Sequence, residues 1–149
     1  MVYKELIPFD KIEKIECVKA NGATESISSV YKRTGADRVL NAPIFEFGSG
    51  EIKSRFVCDG HVYGTKQPDV FGFSFVPYPV WNLNNGVKAA NYCAPYSYAV
   101  IDGKIRDGLN DHAKRGRTAI GVTADKKMAI YVVSDYDCHT CTSEVFAKG

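Results

Sequence analysis

The sequence predicts an α+β fold, mainly an antiparallel mixed sheet built from hairpins with one or two helices, and three observations carry that expectation. Apolar runs rich in Val, Ile, Tyr and Phe are interrupted by Asp59-Gly60 in RFVCDGHVYG, by Asp102-Gly103 in YAVIDGKIRDG and by Asp125-Lys126 in AIGVTADKKMAIYVV. Asp-Gly supplies the positive φ angles that a two-residue hairpin turn needs, and the flanking residue types suit a pleated, half-buried surface. Asp125-Lys126 is a weaker form of the same signal. Phe71, Phe73 and Phe75 alternate, as one face of a core strand would. Finally, TESISSVYKRTG sets Ile27, Val30 and Tyr31 at i, i+3 and i+4 between Thr24 as a cap and Gly35 as a stop, which describes one short helix.

Taken in order, the N-terminal MVYKELIPFDKIEK lacks the charged head and apolar stretch of a secretion signal. The helix follows, then DRVLNAPIFEF, which reads as an apolar strand ending at Asn41 near a proline. After the first hairpin and the Phe-rich strand comes FVPYPVWNLNNGVKAANYCAPYS, dense in Pro, Asn and aromatics and expected to be a long irregular excursion. Two further hairpins follow, and CTSEVFAKG offers a second helix start capped by Thr142. With 149 residues, 45% of them apolar and 24% charged, the chain is expected to be one domain, residues 1–149, with a real core. A net charge of +2 is too mild for a nucleic-acid-binding surface, and no apolar run is long enough to cross a bilayer. The five cysteines are odd in number and scattered, which argues for reduced thiols and a cytoplasmic location.

The chemistry-bearing stretches are few. KRGRTAIG places Lys114, Arg115 and Arg117 around Gly116 directly before an apolar strand. It reads either as a clamp for phosphate or carboxylate oxygens, since a guanidinium offers a planar fork of donors, or as a solvated basic loop. Cys138 and Cys141 in CHTC have the spacing of half a zinc knuckle or of a redox pair, yet no second CxxC or HxxxH completes a four-ligand site. No metal or cofactor is therefore expected. His61, His112 and His139 sit in no hydrolase motif. Tyr78 and Trp81, among prolines and asparagines, could stack on a base or sugar or simply fill the core.

The order of these segments resembles the phosphodiester glycosidase domain, the family of the lysosomal enzyme that uncovers mannose 6-phosphate, which also has bacterial and phage members. The stretches that carry the resemblance are TGADRVLNAPIFEF, VCDGHVYG, VFGFSF, AVIDGKI and RGRTAIGVTADKKMAIYVVSD, from about Lys11 to Gly149, and the short phage versions with a YKELIPFDKIEKIE-like opening look closest. The resemblance implies a pocket for a sugar-phosphate diester. Arg117 and Arg115 would meet phosphate, Tyr78 or Trp81 a base, and Asn41, Thr118, Glu46 and Asp135 would line the site. The family's NGGFF reads here Asn41-Ala42-Pro43-Ile44-Phe45, without the glycines, and its acidic LDGGGSS segment has no counterpart in these residues. The expectation is a phosphate-binding site without visible hydrolytic groups. Such a protein would sequester a nucleotide-like immune signal of cyclic nucleotide or cyclic ADP-ribose type in the host cytosol, the alternative being an active phosphodiester glycosidase completed by another segment or chain. A homo-oligomer that covers an exposed sheet edge is also expected.

Overall fold

The structure is a computed structural model that describes residues 2–41, 45–46, 48–64, 71–75, 79–83, 89–95, 99–105, 107 and 116–133. In chain order its elements are β1 (Val2–Pro8), a single 3-10 turn (Phe9–Lys11), α1 (Ile27–Thr34), β2 (Phe56–Cys58), β3 (His61–Tyr63), β4 (Phe71–Phe75), β5 (Pro79–Leu83), β6 (Tyr92–Cys93), β7 (Val100–Ile101), β8 (Lys104–Ile105), β9 (Arg117–Val122) and β10 (Lys127–Val133). Every strand ladder among the described residues is antiparallel, and α1 is the one α-helix among them. The fold is therefore α+β and dominated by antiparallel sheet. Two compact units divide it, one from residues 12–96 and one from residues 1–11 with 97–149.

In the first of these, five strands form a sheet in the order β3-β2-β6-β4-β5. Asp59 at φ 48° and Gly60 at φ 77° make the tight turn between β2 and β3, as the Asp-Gly pair requires. Both faces of the three central strands are covered. Phe56, Cys93 and Phe73 are in register on one face and Val57, Tyr92 and Ser74 on the other, and all six are buried. Gly72 is required by this packing, because a Cβ there would lie 2.6 Å from the Tyr92 ring and from the Cys93 carbonyl oxygen.

The helix begins later than its sequence suggests. Ser26, not Thr24, is the N-cap: its backbone is extended and its Oγ accepts the Ser29 N–H at 3.1 Å. Glu25 beside it receives both Nε and Nη2 of Arg33, at 3.0 and 2.8 Å, together with the Asn21 N–H at 2.9 Å and the Ser29 hydroxyl at 2.8 Å. Gly35 ends the helix at φ 65° as expected. The apolar stripe does not reach a core: Ile27 and Tyr31 are each 51% exposed.

Two other expectations are corrected. Residues 37–41 form no strand, so Asn41 does not close a ladder. The excursion contains regular structure, since β5 pairs with β4 along its whole length and β6 lies between β2 and β4. Proline is compatible with β5 because Pro79 is its first residue and β5 is the outermost strand of that sheet. The second helix start at Thr142 lies outside the described residues.

The other unit contains the sheet β1-β10-β9 and the small β7–β8 hairpin, whose Asp102 and Gly103 have φ 49° and 71°. Between β9 and β10 the turn is longer. The Lys126 N–H donates to the Thr123 carbonyl at 3.1 Å, the Thr123 N–H to the Lys127 carbonyl at 3.0 Å, and Lys126 takes the left-handed position at φ 58°. This is the three-residue hairpin loop with a bulge at its end. Thr123 Oγ1 also accepts the Lys127 N–H at 3.0 Å, and Lys127 Nζ sits 2.7 Å from Asp125.

Candidate functional site

Strand alternation and register decide which side chains of β1, β9 and β10 share a face. One face carries Lys4 and Leu6 of β1, Lys127, Ala129 and Tyr131 of β10, and Arg117, Ala119 and Gly121 of β9. The opposite face carries Ile130 and Met128, 3% and 7% exposed, flanked by Ile7 and Ile120, and so supplies the core of this sheet.

The first face differs in chemistry. Three cations, Lys4, Arg117 and Lys127, surround a floor of small residues, Ala119, Gly121 and Ala129, and no described residue of that face is acidic. Lys4 Nζ lies 5.1 Å from the centre of the Tyr131 ring, a cation–π distance that keeps a charge over the aromatic face. Lys127 is ion-paired with Asp125 in the adjoining turn, and that contact holds the Asp125 carboxyl below its ordinary range. Among the described residues, a Cβ built on Gly121 would meet only the Ala129 Cβ, at 4.0 Å, which leaves the floor open there. A flat surface of this kind admits a ligand to the backbone while cations approach it from the sides.

The residues singled out in the sequence distribute unevenly. Arg117 opens β9 and is half-buried, whereas Thr118, the next residue, is exposed and belongs to the opposite face with Ile120 and Val122. Alternation thus separates two neighbours that the motif had grouped. Arg115, Tyr78 and Asp135 lie outside the described residues. Trp81 is in β5, paired in register with Phe73, and the structure does not describe its ring. Asn41 is exposed, and Glu46 is exposed and committed to an ion pair with Lys53 at 2.9 Å. Lys53 also meets Glu51 at 2.6 Å, and these two carboxylates raise its pKa, Glu51 the more. Glu46 is therefore an ion-paired surface carboxylate. Lys4, Lys127 and Tyr131 were missed by motif reading because only the β1–β10–β9 register places them on the face that carries Arg117, with Tyr131 diagonal to it and Lys127 at the far end of the ladder.

The cysteines gather elsewhere. Phe56 pairs with Cys93, and Cys58 is two residues along β2 on the same face, while the Cys17 N–H is held by Asn91 Oδ1 at 2.9 Å. Cys17, Cys58 and Cys93 are all free thiols. Burial pushes the Cys93 thiol up to about 12, and burial with the nearby Cys93 and Cys58 raises that of Cys17 as well. No group of His, Cys, Asp and Glu among the described residues is arranged to hold a metal ion. The CHTC pair, His112 and His139 lie outside the described residues, and His61 is exposed on β3. No described helix is long and apolar enough to cross a membrane.

No protein-family model, no curated protein and no solved structure matches this chain.

Proposed function

We propose that this chain binds a nucleotide-like anion, of cyclic nucleotide or cyclic ADP-ribose type, and holds it without turnover. The observation that carries this reading is that Lys4, Arg117 and Lys127 share one sheet face around a small-residue floor, with Arg117 and Lys127 at its two ends and no acidic residue among the described strand positions of that face. A guanidinium at the strand end can grip two phosphate oxygens at once, and the two ammonium groups add charge without fixed geometry. Ala119, Gly121 and Ala129 let a flat ring or ribose lie close to the backbone. General acid catalysis at an anomeric carbon would need a carboxylate within reach, and the described carboxylate beside this face, Asp125, is committed to Lys127. That arrangement supports retention of the intact ligand.

The resemblance to phosphodiester glycosidases supplies a parentage for such a face, with phosphate recognition kept and hydrolysis not. For a phage-encoded chain the proposed setting is the host cytosol, where soaking up a cyclic nucleotide alarm signal would blunt a defence response. Free thiols at Cys17, Cys58 and Cys93 suit that reducing compartment.

The test is direct. Full-length protein is incubated with 3′,5′-cyclic nucleotides, cyclic dinucleotides and cyclic ADP-ribose, and binding and ligand integrity are followed together by calorimetry and mass spectrometry. One of these ligands is expected to bind and to be recovered intact after denaturation. Arg117→Ala should weaken it about tenfold or more, the loss expected for a charge-assisted contact. Gly121→Glu, which sets a carboxylate on the open floor, should weaken it further while leaving the fold unchanged by circular dichroism. Recovery of cleaved product would replace sequestration with hydrolysis, and binding indifferent to both substitutions would move the site off this face.

A further inference from the structure

The outer edge of β9 carries an inference independent of any ligand. The Thr123 N–H to Lys127 carbonyl bond fixes the phase of the β9–β10 ladder. In an antiparallel pair, hydrogen-bonded and non-hydrogen-bonded positions alternate. Gly121 and Ala119 therefore point their backbone groups at β10, while Thr118, Ile120 and Val122 point theirs away from it. β9 is the last strand of its sheet, and residues 118–122 make no hydrogen bond beyond the β10 ladder among the described residues. The segment TAIGV has no charge, no proline and no bulge, which are the usual devices that keep a sheet edge from pairing with another strand. Thr118 and Val122 are exposed, Val122 by 43%.

We propose that this edge pairs with the same edge of a second copy, antiparallel about a two-fold axis through Ile120. The segment is self-complementary in that register. Ile120 faces Ile120 of the other copy, Thr118 faces Val122, and Ala119 faces Gly121. All three outward N–H groups and all three outward carbonyls of each copy are satisfied, in about six interchain bonds. No like charges meet, because Arg117 falls opposite Thr123. The small Ala119 and Gly121 pair allows close approach on one face, and Ile120 meets its own copy on the other. An isologous contact of this kind closes on itself and yields a dimer with a continuous six-stranded sheet.

The register makes the test specific. In sedimentation equilibrium across a concentration series the full chain should be a dimer. Thr118→Lys with Val122→Lys sets two pairs of like charges across the axis, and dissociation should become easier by about tenfold or more. Thr118→Lys with Val122→Glu sets two opposite pairs at the same places and should restore the dimer. Both positions are exposed, and matching thermal melts confirm that each variant folds. A monomeric parent chain, a Lys/Lys variant that dimerises as tightly as the parent, or equal loss of the dimer in both variants would each overturn the proposal.

Discussion

Two glycines separate backbone strain from steric conflict. Gly35 sits at φ 65° at the end of α1 with no atom of the described residues within 4 Å of where a Cβ would stand. Gly35→Ala therefore costs only the left-handed conformation, about 1 kcal/mol. Gly72 is the reverse case. It needs no positive φ, but a Cβ would stand 2.6 Å from the Tyr92 ring, which is fully buried, and from the Cys93 carbonyl. Gly72→Ala must shift a central strand or the ring that anchors the Val57–Tyr92–Ala94 cluster, and the expected loss is about 2–3 kcal/mol. Urea melts of the two variants measure the contrast. A Gly72→Ala protein as stable as the parent would mean that Tyr92 does not lean on that backbone.

At the scale of elements, the cap and the salt bridge of α1 make separable claims. Ser26→Ala should cost about 1 kcal/mol, because an orphan N–H at the helix start loses its acceptor, while Thr24→Ala should leave stability unchanged; equal effects in urea would return the cap to Thr24. Glu25 sets the acid response of the same region. Its bidentate bond with Arg33, then the Asn21 N–H and the Ser29 hydroxyl, hold its carboxyl down to about 2 from 4.5. A carboxyl depressed in the folded state contributes its full stabilisation above the unfolded value of 4.5 and loses it as pH falls through about 2. Stability should decline across that window, and Glu25→Gln should be less stable at neutral pH with a flatter acid limb. A parallel limb in the variant would assign acid sensitivity to other groups. The helix and hairpins were legible because their determinants are local: Asp-Gly and left-handed Gly act within two or three residues. β1 and β6 were not, because their partners are distant, and β5, although it pairs with the neighbouring β4, was hidden by its proline. The pairing of β1 with β10 joins Val2 to Val133, and Pro79, one of the residues that made 75–97 look irregular, begins an outermost strand, where it costs no ladder bond.

Across the whole molecule, the same division governs the site and the thiols. Arg117 could be found from its motif, but Lys4, Lys127 and Tyr131 join it only through strand register, and Thr118 leaves it through strand alternation. Cys17 and Cys93 likewise come from segments separated by most of their unit and end 7% and 9% exposed, close to the sheet face that carries Phe56 and Phe73. Thiolate is the reactive form, and burial opposes it at both positions, raising Cys93 to about 12. Alkylation at pH 8 should therefore pass over Cys17 and Cys93 in the native protein and reach both once urea unfolds this unit. Peptide mass spectrometry with iodoacetamide resolves each cysteine separately. The native rate at Cys17 and Cys93 is expected to be about a hundredfold or more below the unfolded rate, and to rise with the same urea midpoint as the loss of Tyr92 burial seen by absorbance. Rapid native labelling of Cys93 would place it on an open surface, and would break the account of central strands β2, β6 and β4 covered on both faces.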